Sequence, residues 1–129
     1  MTTIPENLRY SKEHEWVKLE GNIAIVGITE YATEQLGDVV HVELPELNTE
    51  FEKDHACSTV ESVKSVSDVF MPVSGKILAI NEVLSENPAI INEDPYGEGW
   101  VFKVELTHAE ETERLLSASD YKKFLSEEN

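Results

Sequence analysis

Lys64 stands within Val60-Glu61-Ser62-Val63-Lys64-Ser65-Val66-Ser67-Asp68, and two kinds of chemistry suit that run. The first is covalent modification. A lysine at a bend between β-prone segments holds its ammonium in water on a four-carbon stem, open to an enzyme that acylates amines. The second is nucleophilic catalysis by Ser62 paired with Lys64. No oxyanion-hole or nucleophile-elbow pattern accompanies that pair, and ester hydrolysis lost in Ser62→Ala would be needed to support it. Against both stands the ordinary fate of a turn lysine, a solvated charge that keeps the chain soluble.

The elements that position Lys64 are legible on either side of it. From Cys57 to Val63 the chain is rich in β-branched and small residues, and Val66 to Met71 reads alike until Pro72 stops it. Two short strands therefore meet near Lys64. The bend lacks the Asn-Gly or Asp-Gly pair of a tight hairpin, which leaves its turn type open. Upstream, His14 to Leu19 and Ile23 to Thr29 flank Gly21-Asn22, a pair suited to a two-residue turn with positive φ. Thr29 is placed to cap a helix from Glu30 to Leu36, with Glu30 near its positive end and Gly37 as its stop. Val39 to Leu44 reads as a strand closed by Pro45, and a short extended piece at Phe51 lies between turns.

Downstream, Pro72-Val73-Ser74-Gly75 is a turn and Lys76 to Ile80 a strand. Pro88, Pro95, Gly97 and Gly99 make Asn81 to Gly99 a mostly irregular connection interrupted by Ile90-Ile91. Trp100 to Leu106 restores strict alternation, and Trp16 and Trp100 read as core residues within strands. Two helical stretches close the chain: His108 to Leu116, and Asp120 to Leu125, with Tyr121, Phe124 and Leu125 on one face. Many short strands followed by helices predict a mainly β fold, a two-sheet sandwich or barrel with appended helices. A weak echo between Gly37-Asp38-Val39-Val40-His41-Val42 and Gly75-Lys76-Ile77-Leu78-Ala79-Ile80 suggests two similar β units facing one another.

At 129 residues the chain fits a single domain spanning 1–129. Apolar residues make up 40% and charged residues 28%, a globular balance. The charge is unusual: 10 Lys and Arg against 26 Asp and Glu leave a net charge of −16. Such a field repels phosphate backbones and anionic lipid surfaces and favours partners with basic docking faces. Neither nucleic acid nor membrane is expected as a partner. Cys57 is the sole cysteine, which excludes an internal disulfide and suits a reducing compartment; with no basic neighbour it reads as an inert strand residue. Met1-Thr2-Thr3-Ile4-Pro5-Glu6 has the character of neither a signal nor a transit peptide, and a cytoplasmic protein is expected. His14, His41, His55 and His108 lack metal-ligand spacing.

Larger motifs raise Lys64 above an ordinary turn lysine. Ser11-Lys12-Glu13-His14-Glu15-Trp16, Gly27-Ile28-Thr29, Leu36-Gly37-Asp38, Glu43-Leu44-Pro45, Glu61-Ser62-Val63-Lys64, Ser67-Asp68, Pro72-Val73-Ser74-Gly75, and Pro95-Tyr96 with Gly99-Trp100 stand in an order and spacing that resembles the glycine cleavage system H protein family. The resemblance covers nearly the whole chain. It implies a barrel-sandwich hybrid of the lipoyl-domain type with pseudo-twofold halves, and a non-catalytic, monomeric carrier bearing lipoate in amide linkage on Lys64. It further implies three enzymatic partners. Glycine decarboxylase, the P protein, loads an aminomethyl group; the aminomethyltransferase, the T protein, removes the carbon; dihydrolipoamide dehydrogenase, the L protein, reoxidises the cofactor.

The same resemblance suggests roles for neighbouring carboxylates. Glu61 would contact the lipoate-attaching enzyme, or else be a solvated strand residue. Glu15 and Asp68, with Glu13, would form a surface cleft that shelters the cationic, aminomethyl-loaded arm, which charge attraction permits. Two other carriers compete with this reading. Biotinyl sites usually place methionines beside the lysine, whereas Val63 and Ser65 flank this one, and lipoyl domains of 2-oxoacid dehydrogenases typically show Asp-Lys-Ala.

Overall fold

The computed structural model describes residues 3–128; the first two residues of the Met1 to Glu6 segment lie outside that range. Strands β1 (Arg9–Tyr10), β2 (Glu15–Glu20), β3 (Ile23–Ile28), β4 (Val39–Glu43), β5 (Glu50–Phe51), β6 (Ala56–Ser62), β7 (Val66–Phe70), β8 (Gly75–Ile80) and β9 (Phe102–Leu106) form two sheets. One has six strands in the order β1-β2-β3-β9-β8-β5, the other three in the order β4-β6-β7. All pairings are antiparallel. The two echoed segments supply β4 and β8, one to each sheet.

The sheets close on a core of Val17, Ala24, Val26, Ile77 and Val104 from one side and Val42, Val60 and Val69 from the other, all at most 3% exposed. The two-residue period of β2 decides where its side chains go. Glu15 and Val17 share the face toward the opposite sheet, while Trp16 points the other way. Trp16 joins Leu8, Tyr10, Tyr121 and Leu125 in a second apolar cluster, which seats the terminal helix. The chain crosses from β3 through α1 (Glu30–Leu36), where Thr29 Oγ1 accepts from Ala32 N as the expected cap. The β2–β3 loop is two residues long, and Gly21 takes the positive φ, 62°.

Four expectations need correction. The stretch from His108 to Leu116 is not an α-helix but a 3-10 helix, Ala109–Arg114. Leu115 leaves it in extended conformation, and Leu116 exchanges both backbone hydrogen bonds with Tyr10 at 2.7 and 2.8 Å. Pairing with the β1 edge outweighs continued helix. The last helix, α4 (Ala118–Glu128), starts two residues before Asp120. Trp100 precedes β9 rather than lying in it and is half-buried, its carbonyl held by Asn81 Nδ2 at 2.8 Å. The span from Asn81 to Gly99 contains two single turns of helix, α2 (Val83–Glu86) and α3 (Ile90–Glu93), and β1 had no signal in its two residues.

Candidate functional site

Lys64 occupies the link between β6 and β7, and one hydroxyl organises it. Buried Ser62 Oγ accepts from the backbone N–H of Lys64 at 3.3 Å and of Ser65 at 3.1 Å, and donates to Ser65 O at 3.2 Å. Ser62 N also donates to Ser65 O at 2.8 Å, and Val63 N reaches across to Asp38 O at 3.0 Å. The tip is thus tied to both its own hairpin and the residue before β4. With its hydroxyl spent on the turn, Ser62 makes no hydrogen bond to Lys64 Nζ, which removes the geometry a serine-lysine nucleophile needs. The Lys64 stem lies over Gly37, where φ is 80°; a Cβ there would sit 3.4 Å from Lys64 Cε. Among the described residues Lys64 Nζ has no ion pair. Val63 and Val66 flank it at 70% and 64% exposure, bare apolar side chains beside a free amine.

Next to this tip opens a cleft of about 520 Å³. Its floor and walls come from Glu13, His14 and Glu15, from Tyr31, Ala32, Gln35 and Leu36 of α1, and from Ser65 to Val69 of the hairpin. The structure brings Glu13, Glu15 and Asp68 to the lining of one cavity, with Glu15 buried rather than at the surface. Glu61 lies elsewhere. On β6 the inward positions are Ser58, Val60 and Ser62, so the pleat turns Glu61 outward into solvent, away from the cleft.

Glu15 is the chemically unusual member. Its side chain is 1% exposed, one oxygen accepting from the Ser11 hydroxyl and the other from Phe70 N at 3.2 Å across the gap between sheets. Burial pushes its pKa up to about 7, against the opposing effect of those two hydrogen bonds, with Glu13 and Asp54 adding like-charge repulsion. Asp68, by contrast, is exposed at the cleft wall. Cys57 is half-buried on β6, and burial raises its thiol pKa to about 12.

A chain of this fold has known counterparts. The family pattern described as "Glycine cleavage H-protein" matches residues 8–128. The chain belongs to that family. Among curated relatives, the glycine cleavage system H protein of Symbiobacterium thermophilum is 52% identical over 98% of this chain and 99% of that one. The H protein of Carboxydothermus hydrogenoformans is 49% identical over 99% and 98%. The crystal structure of an H protein from Mycobacterium marinum superposes with a TM-score of 0.86 at 40% identity, covering 93% of this chain and 97% of that one. The two-sheet lipoyl-domain fold expected from the motifs is thereby established, and with it a lipoyl carrier role in glycine cleavage.

Several H-protein motifs now have structural reasons. Gly27 faces Trp16, where a Cβ would lie 2.6 Å from the indole; only glycine lets the ring pass. That indole donates to Pro95 O at 2.8 Å, and Tyr96 Oη accepts from Glu30 N at 3.0 Å, so the Pro95-Tyr96 segment clamps the start of α1. Sequence reasoning left out the helical wall of the cleft. Tyr31, Ala32, Gln35 and Leu36 stand at i, i+1, i+4 and i+5, the spacing of a single helix face, which is the signal that would have found them.

Proposed function

We propose that Lys64 carries lipoate in amide linkage and that the chain, a single carrier domain acting as a cytoplasmic monomer, has no turnover of its own. The supporting observation is a lysine without an ion pair among the described residues, on a fixed hairpin tip beside an acidic cleft, in a chain of the H-protein family. Bound there, lipoate supplies a dithiolane whose sulfur accepts an aminomethyl group, gives it up and is reoxidised. The fit is physical. The hairpin immobilises the base, Gly37 leaves room for the stem, and the amide removes a charge that the bare valines would otherwise share a surface with.

The chain's own residues then receive and shelter the load. Glu13 and Asp68 present carboxylates to a cationic amine, and buried Glu15 offers a group that ionises when a cation enters. Walls from α1 and β7 exclude water from two sides. A tethered group of this kind visits partner active sites at an effective concentration on the order of millimolar. Those partners are glycine decarboxylase, the aminomethyltransferase and dihydrolipoamide dehydrogenase, with a lipoate-attaching enzyme acting first. Glu61, exposed on β6 near the tip, is offered to that enzyme.

Intact-mass measurement on protein from its native source, followed by tandem mapping, tests the reading. Lipoate on Lys64 is the expected result. A biotin adduct, or lipoate on another lysine, overturns it.

A further inference from the structure

No residue of α4 lines the cleft, yet one of its hydroxyls joins two of the cleft walls. Glu13 and Glu15, on one wall, flank His14, whose backbone sits in the left-handed region at φ 70°. A residue with a Cβ enters that region at a cost of about 1 kcal/mol, so something holds it there. Its carbonyl accepts from Thr29 N at 3.0 Å, and its Nδ1 bonds Tyr121 Oη at 2.9 Å. The same Tyr121 oxygen bonds Thr29 Oγ1 at 2.8 Å. Thr29 Oγ1 in turn caps α1 through Ala32 N at 3.2 Å, and α1 is a second wall, the β6–β7 hairpin with Asp68 being the third.

Every group in this knot is satisfied in either direction. With Tyr121 donating to Nδ1, the Thr29 hydroxyl donates to Tyr121; with Nδ1–H donating, Tyr121 donates to Thr29. Around it the rings lock the position of Oη. Tyr121 stacks on Tyr10 with centroids 4.6 Å apart and planes 5° from parallel, and the His14 ring lies 4.9 Å from Tyr31, itself a cleft wall. Tyr121 is fully buried, so its place is set by packing rather than by solvent.

We infer that Tyr121 is a positioning residue that sets the spacing of the Glu13–Glu15 and α1 walls of the cleft and thereby the hold on the loaded arm. The inference rests on the cleft receiving that arm, as proposed above. Removing the hydroxyl takes away the side-chain link between His14 and Thr29 and leaves the Thr29 N–His14 O bond as their remaining tie, while the stacked ring keeps α4 in place. The carboxylates then no longer meet the amine at fixed distance, and water reaches the load. Hydrolysis breaks its carbon–sulfur bond without electron exchange: water supplies the oxygen of formaldehyde, nitrogen leaves as ammonium, and sulfur regains a proton.

The experiment uses lipoylated full-length protein, wild type, Tyr121→Phe and Val104→Ala, each loaded by glycine decarboxylase with glycine. Val104 is buried in β9, outside the cleft, and its truncation reports generic destabilisation. Two readouts are taken: formaldehyde release, and the amide NMR shifts of Glu13, Glu15 and Asp68 on loading. Tyr121→Phe is expected to release formaldehyde roughly three- to ten-fold faster, the effect of one lost hydrogen bond, and to shrink the loading shifts. Val104→Ala is expected to lower the melting temperature at least as much while leaving both readouts at wild-type values. Equal release from Tyr121→Phe and wild type, or equal acceleration in Val104→Ala, overturns the positioning role. An absence of loading shifts in wild type removes the cleft reading itself and the inference with it.

Discussion

Glu15 links buried charge to pH. Its carboxyl has a folded-state pKa of about 7 against an ordinary 4.5, so the fold binds its proton more tightly than the unfolded chain does. The stability this confers is complete below about 4.5 and is lost as pH rises through about 7. At one unit per 1.36 kcal/mol the change amounts to ~3 kcal/mol. Glu15→Gln is expected to abolish this part of the pH dependence and to be more stable than wild type by up to ~3 kcal/mol at about pH 8, read by denaturant unfolding at about pH 5 and pH 8. The hold on a cationic load has the opposite trend. It strengthens as pH rises through about 7, because only the ionised carboxylate attracts the amine, and formaldehyde release from the loaded protein should slow over that range in wild type but not in Glu15→Gln.

The hairpin shows what an element contributes beyond its lysine. Ser62→Ala removes a buried oxygen that accepts from two amides and donates once, at an expected cost of about 1–2 kcal/mol in unfolding free energy. The loosened tip should also slow attachment of lipoate to Lys64 several-fold, measured by mass spectrometry with the attaching enzyme. Gly37→Ala forces a side chain to φ 80°, where its Cβ would only touch the Lys64 stem, with an expected loss of about 1–2 kcal/mol from the backbone. These strands were readable because β-branched residues alternate around Lys64, and α1 because Thr29 and Gly37 mark both of its ends. The 3-10 helix and β1 were not, because their states are set by Leu116 pairing with Tyr10, a contact between residues remote in sequence. The acidic side of the cleft could be anticipated from motifs. Its α1 side, and the Tyr121 hydroxyl behind it, depend on where β3, α1 and α4 meet, which local composition does not encode.

The whole molecule carries −16, spread across a surface whose cations are few. Association with the partners proposed above is expected to be steered by a long-range field that salt screens. The association rate with the decarboxylase should fall roughly ten-fold between about 0.05 and 0.5 M salt, while dissociation changes less, as stopped-flow mixing would show. Redox accounting gives Cys57 a further meaning at this scale. A thiol with pKa about 12 is ionised in only about one molecule in 10⁵ at neutral pH, and thiolate is the species that attacks a disulfide. An electron pair entering through the proposed lipoyl arm thus meets a scaffold thiol that is almost wholly protonated.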